Sequence, residues 1–526
     1  MDRPAQHEVD STPEAQGVPS LYFGLTAVLT AVFLYLCLFV RGWIPLWLSG
    51  DQTIFLLNAE RMLHGQAIYR DFFEFTLPGT EYVYLAFFKI FGARAWIPNF
   101  FLVALGAGLT TCVVFISGKV LRRRDVALPA LLFLVCAYHA MLNATHHWFS
   151  LLAMMAAIAV VMEARSIPRV AFAGVFSGLA ALFTHAQGLM CVLGLACFLM
   201  WERDGDRKGG AQGKGGATLR KQIALFSAFC ATLAVTCAHA FYEAGLGNVW
   251  RSVVVFTLRY YSTDVKANTP VVYLGLPAVP PWTHVPVLIV WLFIYAVVPF
   301  AYVAFLVRYW RRKPGDENAP WHRLMLLNIV GLFLFLGIAS APSIIRLAAM
   351  APPALILLVW MVDSSGWRSR IPIALLWAFG LTLAIAEPVA TQLHRRWVAN
   401  LPAGRMAFQG EEQRDKYAWL AAHTRAADYI LDAASLPRIY FPLGLRNPAA
   451  APFLTITNYT RPEQVADAVA ALEHKPVKLV VWSPYLKSLD DSDDPADHLN
   501  PVRDYLRDHY HPIKIFPDGD SVLAKN

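Results

Sequence analysis

Apolar residues fall in long runs broken by short polar stretches from Leu21 to about Ala386, a pattern that continues for most of the chain. Each run is about 18–25 residues long, the length a helix needs to cross roughly 30 Å of hydrocarbon. About eleven spans are predicted, an estimate set by that length. They lie near 21–40, 96–119, 125–142, 147–163, 169–185, 187–202, 221–241, 285–308, 323–340, 349–363 and 370–388. Beyond them, 389–526 has ordinary soluble patterning.

Between the first two spans lies a loop, 43–95. In it Phe55, Leu56, Ala59, Met62 and Leu63 share one helical face, with Gln52, Asn58 and Arg61 off the stripe. That spacing predicts an interfacial amphipathic helix ended by His64-Gly65. A second short apolar run, Tyr82–Phe91, carries Glu81 and Lys89 and predicts another, started by Pro78. In the tail the pattern predicts helices over 409–433, 460–475 and 500–510, the second opening on a capping-box spacing. Strands are expected at 438–441 and 477–483, and edge strands at 513–516 and 522–524. Helix alternating with strand predicts a small α/β domain, and the absence of a Gly-rich phosphate loop gives it no nucleotide.

Composition agrees with the pattern. The chain is 57% hydrophobic and 16% charged, against about 25% charged for soluble domains. The net charge of +8 sits in short clusters between apolar runs, which marks membrane topology rather than a nucleic-acid surface. Arg122–Arg124, Arg165, Arg169, the 203–221 stretch, Arg308–Lys313, Arg323, Arg368 and Arg370 crowd one set of short connections. The opposite set is poorer in Lys and Arg for its length, so the first set is expected to be cytoplasmic. The N-terminal tail (1–20) is then inside and the tail domain outside, with 203–220 a Gly-rich cytoplasmic linker. Ala/Arg/Pro-rich composition and compact loops suggest a bacterial inner (plasma) membrane and a periplasmic tail. The N-terminus lacks a basic n-region, and the first run is followed by Arg41-Gly42-Trp43, so that run is expected to be a retained span. All seven cysteines lie in apolar runs without a CxxC pair, which predicts small buried hydrophobes.

The chemically informative stretch is 49–79, with Ser49-Gly50-Asp51-Gln52, Ile68-Tyr69-Arg70-Asp71-Phe72-Phe73 and Leu77-Pro78-Gly79. Asp51 either caps the helix that follows it or, partly desolvated at the membrane surface, serves as a general base. Glu81 opens the second short helix, where the dipole favours an acid.

This stretch resembles the GT-C membrane glycosyltransferases, in particular the branch of protein O-mannosyltransferases and aminoarabinose transferases. The likeness continues through Gly178–Gly188, Leu258-Arg259-Tyr260-Tyr261 and the Arg346…Pro352-Pro353 step, and covers roughly 40–390. It implies an all-α polytopic membrane domain of GT-C type over 21–388, with the small α/β domain outside the membrane. The implied activity is inverting transfer of a sugar from a polyprenyl-phosphate carrier to a lipid, glycan or protein acceptor. Asp51 matches the first-loop catalytic acid; the usual Asp-Glu is here Asp51-Gln52, which weakens any case for a metal held by the pair. A divalent metal has no ligand motif here. Asp71 matches the Tyr-x-Asp-Phe position, as a sugar-orienting or second acid, or it is simply a turn residue paired with Arg70.

In the second external loop His146-His147 stand where relatives often carry an acid. They contact sugar or phosphate, bind metal, or pack at the interface; adjacent helical residues point apart and chelate poorly. A carrier phosphate calls for cations, and Arg346 and Arg259, the latter beside Tyr260, are the candidates. His185 and Gln187 face one side and are expected near the carrier headgroup. Two other readings stay open. A lipid-linked-sugar transporter or flippase predicts ionisable residues at mid-span, which most spans lack. A non-catalytic relative acting in envelope assembly would accommodate the loss of the second acid.

Overall fold

The structure is a computed structural model that describes residues 19–208, 215–262, 264, 285–312, 319–339, 343–364, 370–394 and 396–526. Most of the N-terminal tail and the centre of the Gly-rich linker therefore lie outside the described residues. Among those described, eight helices are long and apolar enough to cross a membrane. Three shorter apolar ones, Ile167–Phe183, Trp321–Leu336 and Ala351–Asp363, lie between them in the chain. Each falls on a segment whose hydropathy predicted a span, and the protein is a multi-pass membrane protein.

Lipid offers no hydrophobic drive between helices, so close packing decides which ones pair. Ile167–Phe183 runs against Gly215–Ala244 through Gly174, where an added Cβ would stand 2.3 Å from the Leu225 carbonyl oxygen. The third span is irregular. Its helix widens into a π-type turn at Phe133–Tyr138, and the buried Tyr138 hydroxyl donates to the Leu102 carbonyl at 2.6 Å. Such widened turns favour functional regions, and this one ends beside the second external loop.

Both helices of the first loop form, at Gln52–Leu63 and Gly79–Phe91. Phe55, Leu56 and Ala59, on the apolar stripe of the first, are buried in the chain's main core. Off the stripe, Asn58 and Arg61 are buried as well.

The tail begins with a hairpin, Trp397–Leu401 against Gly404–Phe408, then the helix Glu411–His423. A four-stranded sheet follows in the order Ile430–Ala433, Leu479–Trp482, Ser521–Lys525, Tyr510–Ile515. Its first two strands are parallel and the remaining pairs antiparallel. The helices Pro462–His474 and Asn500–His509 complete the domain.

Three local expectations are corrected. The helix expected over 409–433 stops at His423, and Ile430–Ala433 is a strand buried at every position, which helical periodicity had masked. The strand expected at 438–441 is a helical turn, Tyr440–Leu443, stopped by Gly444 in the left-handed region at φ 61°. Ser521–Lys525, expected at an edge, lies between two strands.

The tail is joined to the first loop by main-chain bonds. Trp47 N–H donates to the Ala407 carbonyl at 2.8 Å, Ala95 to Ala403 at 2.9 Å and Phe73 to Ala450 at 3.1 Å. The buried Arg61 guanidinium donates to the carbonyls of Ala449 and Ala450 at 2.6 and 3.0 Å.

Candidate active site

A cavity of about 600 Å³ opens where the first loop, the ends of several spans and the tail meet. Four helix starts converge on its lining: Asp51 before Gln52–Leu63, His146 and His147 at the head of His146–Glu163, Thr184 to Gln187 at the head of His185–Lys208, and Ser343 to Arg346. Two have side-chain caps, Thr145 accepting from the His147 N–H at 3.3 Å and Ser343 from the Arg346 N–H at 3.4 Å. Helix N-termini carry partial positive charge and unsatisfied N–H groups. A cavity bounded by several of them favours an anion.

Asp51 occupies the cap position of its helix with helical backbone angles and makes no capping hydrogen bond. The capping alternative is therefore not realised. Its carboxyl is pushed above the ordinary aspartate range by burial, and the Arg346 guanidinium pulls it partly back. Arg346 in turn donates to the Tyr261 hydroxyl and lies over that ring, 5.8 Å from its centre.

His146 and His147 set their rings 4.0 Å apart, and the His146 ring stands edge-on to Phe55 at 5.2 Å. Gln187 Nε2 meets His147 Nδ1 at 3.5 Å. His146 Nδ1, His185 Nδ1 and Gln187 Oε1 are buried without a hydrogen-bond partner. Buried polar atoms are rarely left so, and all three residues line the cavity. Among the described residues no three His, Cys, Asp or Glu side chains are grouped to hold a metal ion.

Asp51, Arg346, His146, His147, His185 and Gln187 thus come together. Asp71, Glu81, Arg259 and Tyr260 do not line the cavity. Asp71 closes a turn: it forms a two-pronged ion pair with Arg70 at 2.8 Å and accepts the Ala67 N–H at 2.8 Å. The Arg70 hydrogen bond holds its carboxyl below the ordinary range. Glu81 is fully buried behind the wall. The exposed Arg259 stacks on Tyr260 at 5.7 Å, and Tyr260 also lies beneath the Arg461 guanidinium at 5.5 Å.

Among the lining residues that escaped the sequence reading, three carry ionisable side chains. Glu74 is clamped by the N–H groups of Phe75 and Thr76 at 2.8 and 3.0 Å and by Asn58 Nδ2 at 2.8 Å. Its signal was an acid isolated among aromatics, Phe72-Phe73-Glu74-Phe75. Tyr261 was passed over for its neighbours. Tyr459 comes from the tail, where no motif pointed; it packs edge-on to Phe256 at 5.0 Å and to Phe75 at 6.0 Å.

No protein-family model matches the chain, and no curated protein matches it. Solved structures do. The oligosaccharyltransferase of Archaeoglobus fulgidus in its apo form is 11% identical with a TM-score of 0.52, over 96% of this chain and 75% of that one. ArnT from Cupriavidus metallidurans in the apo state is 13% identical with a TM-score of 0.56, over 96% and 98% of the two chains. ArnT bound to undecaprenyl phosphate is 14% identical with a TM-score of 0.55, over 96% and 97%. The chain has the GT-C fold, the architecture of membrane-embedded glycosyltransferases.

Proposed function

We propose that the protein is an inverting glycosyltransferase that takes its sugar from a polyprenyl-phosphate carrier, with Asp51 as general base. The observation that carries this reading is that Asp51 and Arg346, of opposite charge and within electrostatic reach, line one cavity on which helix N-termini converge. That ArnT was solved with undecaprenyl phosphate supports the choice of carrier.

In the proposed step an acceptor hydroxyl gives its proton to the Asp51 carboxylate. Its oxygen attacks the anomeric carbon on the face opposite the phosphate. The bond from that carbon to the phosphate oxygen breaks, and the polyprenyl phosphate leaves with the electron pair. Arg346 and the helix N-termini stabilise the charge that develops on it. His146, His147, His185 and Gln187 line the cavity and contact the sugar and carrier headgroup, where His146 Nδ1, His185 Nδ1 and Gln187 Oε1 lack a protein partner. Ser435, Leu436, Phe453 and Tyr459 of the tail also line the cavity, and we assign them to the acceptor. We place the cavity and tail at the periplasmic face of a bacterial inner membrane, with the N-terminus cytoplasmic, from the distribution of basic residues.

Asp51→Asn keeps shape and removes the base. Sugar transfer in isolated membranes is expected to fall by about 10²–10⁴-fold, with undecaprenyl phosphate still bound. Transfer at the wild-type rate overturns the assignment. Mass spectrometry of envelope glycolipids and glycoproteins from a deletion strain identifies the product to assay.

A further inference from the structure

Gln52 follows Asp51, yet it does not line the cavity. Its side chain is completely buried and used at both ends. The Ala144 N–H donates to Gln52 Oε1 at 2.9 Å, and the Gln52 Nε2 group donates to the Leu48 carbonyl. The Gln52 main-chain N–H completes a reciprocal pair by donating to Asn143 Oδ1 at 3.0 Å. These bonds tie the loop that presents Asp51 to the loop that starts His146–Glu163. The tie is close: a Cβ added at Gly50 would stand 2.3 Å from Asn143 Nδ2. The second loop is anchored from its other side, where the Tyr84 hydroxyl donates to the Ala144 carbonyl at 2.8 Å.

We propose that Gln52 is a positioning residue, which sets the Asp51 carboxylate at a fixed place against the histidine wall by bolting the first external loop to the second. The inference rests on the reading of Asp51 as the base and explains why an amide stands beside it. The bolt needs a donor and an acceptor on one side chain. An ionised carboxylate only accepts; placed here it would oppose the Leu48 carbonyl oxygen and leave a buried charge unpaired. A protonated glutamic acid has the amide's shape and restores the donor.

The test uses the full-length protein in membranes, with Gln52→Met and Gln52→Glu. Gln52→Met is expected to lower transfer by about 10- to 100-fold, the size of effect that a small misplacement of a reacting group produces, while undecaprenyl phosphate affinity is unchanged. In Gln52→Glu, transfer relative to wild type is expected to rise as pH falls and the new carboxyl takes up a proton. A merely structural role would lower undecaprenyl phosphate binding by Gln52→Glu over the same pH range; that binding is expected to stay at the wild-type level. Wild-type transfer by Gln52→Met, or a flat Gln52→Glu ratio across pH, overturns the proposal.

A second measurement separates this outcome from failure of the base assignment. Asp51→Cys is labelled with a membrane-impermeant maleimide, alone and combined with Gln52→Met. The labelling rate is expected to change at least severalfold when the bolt is removed. An unchanged rate sinks the positioning role whatever Asp51 does in transfer.

Discussion

A carboxylate must be ionised to take a proton, so burial and a nearby cation act on Asp51 in opposite directions. Burial raises its pKa above the ordinary aspartate range and Arg346 pulls it back. The acidic limb of the rate–pH profile is therefore expected at a higher pH than an exposed aspartate would give. Arg346→Ala removes the opposing influence, so at saturating carrier the limb should move further toward high pH. A limb that stays in place, measured as kcat against pH, shows that Arg346 does not act on Asp51. The two residues were legible for different physical reasons. Asp51 is an acid beside a short amphipathic helix, and Arg346 is a charge in a connection between apolar runs, costly there without a partner. Asp71 was not resolved, because the spacing Tyr-x-Asp-Phe is compatible with a closed turn as well as with a site. In the fold Arg70 and the Ala67 N–H already hold its oxygens. Tyr459 was invisible for a different reason: it reaches the cavity through tertiary docking of a domain whose own pattern concerns only its core.

The span helices follow from periodicity and length, because lipid forces every backbone polar group into a helix. Their starts were readable too, yet nothing in the sequence says that several point at one space. That convergence is made by packing, and of the two short helices of the first loop only Gln52–Leu63 takes part in it. The second of them carries Glu81 in its first turn, where its proximity to Glu74 has a measurable consequence. Burial raises the Glu81 pKa well above the ordinary glutamate range, and the Glu74 charge raises it further. Asn58 Nδ2 is shared between the pair, at 2.8 Å from Glu74 and 3.5 Å from Glu81, and Glu81 Oε2 has no partner. A group whose folded pKa is raised adds stability below its unfolded pKa and loses it as pH climbs toward the folded value. Glu81→Gln is expected to leave thermal stability unchanged near pH 4 and to raise it above wild type near pH 8. Equal melting curves at both pH values would show that Glu81 ionises freely in the fold.

At the scale of the whole molecule the tail is part of the site rather than a passenger. Ser435, Leu436, Pro452, Phe453 and Tyr459 line the same cavity as Asp51. They reach it because the first loop and the tail are hydrogen-bonded at several separate places. Arg61 bears most on that seam. It sits on the helix that Asp51 starts, is 7% exposed, and donates to two tail carbonyls while its guanidinium lies 5.3 Å from the centre of the Phe72 ring. Burial lowers its pKa to about 10, so it remains charged at neutral pH and both bonds are charge-assisted. Removing a charged donor from a buried carbonyl costs about 1–3 kcal/mol. Arg61→Met keeps the apolar stem and deletes the donors, so the seam should loosen without emptying the core. The expected result is faster proteolysis between the last span and the tail hairpin, around 394–397. Transfer should fall with it, whereas undecaprenyl phosphate, which we propose is held by groups at the span ends, should bind as before. If transfer holds steady while the junction becomes cleavable, the tail wall is dispensable, and the acceptor is oriented by the first loop and the span ends alone.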